Sequence, residues 1–127
     1  FSAVTKNARA KTCIGNQREI ISSVGNWLML MPTEQVEGTF HITGGQDNPH
    51  WVEEQLMIKV NGQDKDVTDE VKGLFKAPPV CPDEDANIVI TITPGESGVD
   101  NSKATVETEC VGGTDSANHE VPGFVED

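Results

Sequence analysis

The feature that most narrows the fold of this chain is a stripe of apolar and small side chains along its opening segment. Ala3, Ala10, Cys13 or Ile14, Gln17, Ile20 or Ile21, Val24, Leu28 and Met31 recur at steps of three and four. That spacing lines up one face of an α-helix over about Ser2 to Met31. Lys6, Arg9, Asn16 and Glu19 fall mostly outside the stripe. Gly15 and Gly25 each weaken a helix by about 1 kcal/mol relative to Ala, so packing against a second layer has to supply the difference. Pro32 marks the expected stop, because it lacks an N–H and restricts the residue before it.

The rest of the chain must provide that second layer. Thr33 to Asn48 reads as a connecting loop with one short strand, Thr39 to Thr43, before Gly44-Gly45. Pro49 to Val60 is ambiguous and fits a helix running into a strand, ended by the turn pair Asn61-Gly62. A short helix is expected over residues 66–77. Thr68 or Asp66 can cap it, Asp69 and Glu70 suit its positive end, and Val71, Leu74 and Phe75 form its buried face. Ala77-Pro78-Pro79 stops it.

Beyond Cys81-Pro82 the period changes to two. Ile88, Ile90 and Ile92 alternate with Val89, Thr91 and Thr93, and Ala104, Val106, Thr108 and Cys110 form a second alternating run. Both are strand-favouring, and the turn-rich Pro94 to Ser102 between them makes a β-hairpin over 86–111. Residues 112–127 carry Gly, Ser, Asp and Pro and read as an irregular tail. The expected fold class is α+β, a long N-terminal helix packed on a small antiparallel sheet. With 127 residues one domain is expected: 1–31 helix, 32–65 variable loop region, then the short helix, the hairpin and the tail.

Charge removes several function classes. The formal net charge is −12, with nine Lys and Arg in all, and binding to phosphates needs clustered cations. Attraction to nucleic acid or to an anionic membrane surface is therefore not expected. No stretch approaches the roughly 20 apolar residues that span a bilayer; the longest, Trp27 to Met31, runs into Pro32. The sequence opens at Phe1 inside an amphipathic pattern, so it reads as a processed or truncated piece.

Two stretches together resemble the type IV pilin and type II secretion pseudopilin family, especially its Gram-positive members. Lys6-Asn7-Ala8-Arg9-Ala10-Lys11-Thr12-Cys13-Ile14-Gly15-Asn16-Gln17-Arg18-Glu19-Ile20 is similar to the C-terminal half of the family's first helix. There a basic, Ala-containing run precedes a Cys, then an Asn, then an apolar position. Leu74-Phe75-Lys76-Ala77-Pro78-Pro79-Val80-Cys81-Pro82 resembles the family's Pro-x-Cys-Pro step between a short helix and the first strand. Cys110 and His119 occupy places comparable to a later Cys and nearby His in many relatives, although their separation is longer here. The resemblance covers about half the chain, and the family's diagnostic N-terminal segment is not in this sequence.

The resemblance implies a structural subunit of an extracellular, cell-surface filament, its apolar helix half lying ahead of Phe1. Its partners would be other pilin subunits, in a homo- or hetero-polymer built by a non-closing operation, and the membrane through that preceding helix. Motility, secretion, DNA uptake and adhesion are all open. The rival function, from another class, is a secreted adhesive or ligand-binding module.

Cys13, Cys81 and Cys110 leave two arrangements open. One is a Cys81–Cys110 disulfide with Cys13 buried on the stripe as a small apolar residue. The other is a structural zinc site of Cys13, Cys81 and Cys110, with His119 or a carboxylate such as Asp115 as fourth ligand, a closed donor set that would staple a small core. A zinc- or cysteine-dependent enzyme is a third function. His41, His50 and His119 are available, but no local hydrolase signature accompanies the cysteines, and no catalytic residue is assigned. The acidic groups Asp64/Asp66/Asp69/Glu70 and Asp83/Glu84/Asp85 lack the EF-hand spacing and read as solvated faces. Trp27 and Trp51 read as core or subunit-contact residues.

Overall fold

The computed structural model describes residues 2–96, 103–113 and 119–121, with side chains from residue 7 onward. Helix α1 spans Ser2–Leu28, about 40 Å at 1.5 Å per residue. Its buried face consists of Ala10, Cys13, Ile14, Gln17, Ile20, Val24, Trp27 and Leu28, the expected stripe with Trp27 added. The side chain of Ala3 lies outside the described ones. The helix stops three residues short of the expected Met31. Met29, Leu30 and Met31 N–H groups donate to the carbonyls three residues back, because Pro32 pushes Met31 out of α geometry and the last turn tightens instead.

The second layer is an antiparallel sheet of strands β1 Val36–Thr43, β2 His50–Trp51, β3 Met57–Val60, β4 Gln63–Asp66, β5 Asn87–Thr93 and β6 Thr105–Val111. Its order is β4-β3-β1-β5-β6, with β2 paired to the far end of β1. Strand β1 is the spine: β5 lies along one edge, while β3 meets Val36 and Glu37 and β2 meets Ile42 and Thr43 on the other. Helix α2, Thr68–Lys72, sits between β4 and β5 in the chain. The α+β class expected from the sequence is observed.

The region expected as a variable loop over 32–65 carries four strands: β1 extends the short strand expected over Thr39 to Thr43, β3 is the strand expected to end at Asn61-Gly62, and no helix forms between Pro49 and Val60. Strand β1 buries Val36, Phe40 and Ile42. Gly38 falls in the same alternating row, where an added Cβ would stand 2.8 Å from Ile58 Cγ2, so a side chain there would wedge β1 from β3. Asn61 and Gly62 have φ of 52° and 82° and form the two-residue turn that reverses β3 into β4. Strand β4, Gln63-Asp64-Lys65-Asp66, is exposed throughout and carries no apolar alternation to announce it.

Helix α2 is shorter than the expected 66–77 and ends against Gly73. Neither Thr68 nor Asp66 caps it in the usual sense. Asp66 instead accepts from the Thr68 N–H, and the Thr68 hydroxyl accepts from the Leu56 N–H at 2.8 Å, tying α2 to the segment before β3. Leu74 and Phe75 are partly buried against the core beyond the helix end.

The hairpin forms where expected, pairing Ile88 with Cys110, Ile90 with Thr108 and Ile92 with Val106. Ile88, Ile90 and Ile92 are buried with Phe40 and Ile42 beneath α1, and Gly25 of α1 comes close to Val106 of β6. Among the described residues of the tail, Gly112, Gly113 and 119–121 have no helix or strand; the remainder lies outside the description. No helix is long and apolar enough to cross a membrane among the described residues.

Candidate metal centre

Four side chains far apart in sequence meet where α1 crosses the end of the hairpin. Helical spacing puts Cys13 on the buried face of α1, between Ala10 and Gln17. Strand alternation puts Cys110 on the core face of β6, opposite Ile88. Cys81 comes from the irregular connection between α2 and β5, and His119 from the segment after β6. One donor atom from each lies within 4.8 Å of all the others. His119 Nδ1 stands 3.3 Å from Cys81 Sγ and 3.5 Å from Cys110 Sγ. The four are 0%, 1%, 6% and 1% exposed for Cys13, Cys81, Cys110 and His119, so bulk water does not solvate the cluster.

No disulfide joins the three cysteines, which stand as thiols, and the Cys81–Cys110 bridge is not formed. The His119 ring packs against both of those sulfurs. Cys13 and Cys81 hold their protons tightly. Hydrogen bonding with Cys110 and Cys81, then burial, pushes Cys13 far up from 9.0. Hydrogen bonding with Cys110 and then burial outweigh the opposing contact with Cys13 and push Cys81 up to about 12. Three adjacent thiolates with no cation would repel one another in a dry site. A divalent metal removes that penalty, and this buried three-sulfur, one-imidazole set could bind one.

The other described residues singled out from the sequence do not join it. His41 pairs with Glu53 at 2.6 Å and His50 Nδ1 sits on the Asn48 carbonyl at 2.8 Å. Asp64 lies 3.7 Å from Lys59. Glu84 is shifted upward by its hydrogen bond with Asp47 and their mutual repulsion. Asp115 lies outside the described residues. Trp27 belongs to the core, and Trp51 packs between Phe40 and Phe75 at ring distances of 6.4 and 6.2 Å.

Two residues of the centre went unrecognised in the sequence. Gln17 is fully buried: its Nε2 donates to the His119 carbonyl at 2.8 Å and to Cys13 Sγ at 3.3 Å, and its Oε1 accepts from the Thr108 hydroxyl at 2.9 Å. Asn16 Nδ2 donates to the Val80 carbonyl at 2.6 Å. The available signal was an amide inside an otherwise apolar stripe, since a buried polar side chain is retained only where it finds partners.

Comparison of the chain with protein-family models, with curated proteins and with solved structures finds no match. The class that fold and site define is therefore an α+β domain with a buried Cys3His centre.

Proposed function

We propose that this chain is the head domain of a filament subunit of the type IV pilin or pseudopilin kind, stapled by a structural zinc ion. The observation that carries the filament reading is a 27-residue N-terminal helix laid by one stripe of buried side chains on an antiparallel sheet. Ala10 is the first of the described side chains to be buried, and Asn7, Ala8 and Arg9 are exposed. A long helix held to its own sheet by one stripe is suited to packing its remaining surface against the helices of other copies, with the sheet carried outside. The resemblance of residues 6–20 and 74–82 to the family supports the same reading.

Zinc is favoured by donor chemistry. Thiolate and imidazole ligands in a closed tetrahedron suit Zn²⁺, and its bond lengths of about 2.3 Å to sulfur and 2.0 Å to nitrogen require S···N edges of about 3.5 Å. The 3.3 and 3.5 Å separations at His119 need almost no adjustment. A set with all four positions filled by protein leaves no place for a reacting water, which favours a structural over a catalytic role.

The test of the filament reading uses the whole gene product in the cells that make it. Surface structures are sheared off, separated from soluble protein and labelled with antibody for electron microscopy. Labelled filaments are expected. Recovery of the protein only as a free species in the medium overturns the reading and favours the adhesive or ligand-binding module.

A further inference from the structure

The four ligand-bearing segments are held in two different ways. Cys13 and Cys110 are fixed by regular structure, one by the hydrogen-bond ladder of α1 and the other by that of β6. Cys81 and His119 lie in segments with no helix or strand, and backbone of that kind does not by itself fix a ligand to the few tenths of an ångström that a metal requires. Each of these two segments is instead gripped by its main chain from α1. Asn16 holds the carbonyl of Val80, the residue before Cys81, and Gln17 holds the carbonyl of His119 itself.

The His119 ring needs that grip more than most. A metal-bound histidine usually donates its second ring nitrogen to a carboxylate or carbonyl, which locks the ring. Among the described residues His119 Nε2 is buried with no hydrogen-bond partner, so orientation comes through the backbone. Gln17 supplies it from a fixed base. Its own amide is immobilised at both ends, by the Thr108 hydroxyl on β6 and by Cys13 Sγ one helical turn earlier.

We infer that Asn16 and Gln17 form an amide clamp that positions Cys81 and His119 in the metal centre, so that Cys13-x-x-Asn16-Gln17 is one functional unit: a ligand followed by two positioning residues. The inference rests on the reading that Cys13, Cys81, Cys110 and His119 hold a metal. Consecutive residues on a helix point about 100° apart, which is why adjacent amides reach two separate segments, one on each side of Cys13.

The test is a Co²⁺ titration of the folded protein, read by its visible spectrum, for the wild type and for Gln17→Glu and Asn16→Asp. Each variant keeps the side chain's shape and exchanges the donating amide NH2 for a carboxyl oxygen, adding an ionisable group. Folding is verified by circular dichroism, and Gln17→Met and Asn16→Leu replace either variant that does not fold. The wild type is expected to give tetrahedral d–d bands with three-thiolate charge transfer. Both variants are expected to bind about 10- to 100-fold more weakly, the range for loss of an outer-shell partner. Their spectra should diverge: Gln17→Glu should match a His119→Ala control, and Asn16→Asp should show the weaker charge transfer of a Cys81→Ser control. A merely structural role would lower stability without making the two spectra differ. Variants that bind Co²⁺ with wild-type affinity and spectrum overturn the clamp while leaving the metal reading standing. A wild type with no thiolate–Co²⁺ charge transfer overturns both.

Discussion

Removing the metal from this domain should cost stability by an amount that depends on pH in a set direction. A ligand bound only to the folded state contributes about 2.7 kcal/mol when its free concentration is 100 times Kd. The unfolding entropy of about 2.1 cal/mol/K per residue, over 127 residues, is about 0.27 kcal/mol/K. Chelation should therefore lower Tm by about 10 °C under that loading. The sign of the pH dependence follows from the thiols. Cys13 and Cys81 both have pKa values raised above 9.0 in the metal-free fold, so both carry protons at neutral pH and the metal must displace them. At least two protons released means that affinity strengthens at least about 100-fold per pH unit as pH rises. At fixed free zinc above Kd, the metal's contribution grows by at least about 2.7 kcal/mol per unit. It disappears on acidification. Calorimetric scans at pH 6, 7 and 8, in metal-buffered zinc and in excess chelator, measure both quantities. Equal Tm values with and without zinc, or a difference that does not widen with pH, would refute the reasoning.

Two further perturbations probe the frame that carries the centre. Phe40→Ala empties the middle of β1, where the ring is fully buried and meets Trp51 edge-on at 83°; it should cost about 3–5 kcal/mol in urea unfolding, and a loss below 1 kcal/mol would contradict the packing. Thr68→Val leaves the Leu56 N–H without its acceptor and should cost about 1–3 kcal/mol. The same substitution changes acid sensitivity, because hydrogen bonds from Thr68 hold the Asp66 carboxyl below its ordinary 3.8. A depressed carboxyl contributes stability that is present above 3.8 and lost as pH falls through the folded value. Unfolding titrations between pH 5 and 2 should show that contribution reduced in the variant.

The elements legible in the sequence were those with enough residues to establish a period. The stripe of α1 spans many turns, and the isoleucines of β5 alternate without interruption. Strand β2 has two residues and β4 is polar on both faces, so neither carries a hydrophobic pattern; they exist because β1 and β3 offer them open edges. The identity of the centre was legible as residue types, three cysteines and a histidine. Its assembly was not, because the connection before β5 and the segment after β6 have no periodic signal to say where they return. Gln17 was visible only as an amide within the apolar stripe and Asn16 as a polar residue beside it. Their meaning lies in the carbonyls of Val80 and His119, which no local pattern brings near them.

The wide spacing of the four ligands has a consequence for how the polypeptide matures. During synthesis Phe40 has to wait for Ile90 before the centre of the sheet can close, and Cys13 has to wait for His119. Long-range closures of this kind are slow steps. A nascent chain that has emerged only as far as β5 holds two of the cluster's sulfurs, Cys13 and Cys81, and lacks Cys110 and His119. The cluster thus closes last, and its completion reports that helix, hairpin and returning segment have all reached their final places.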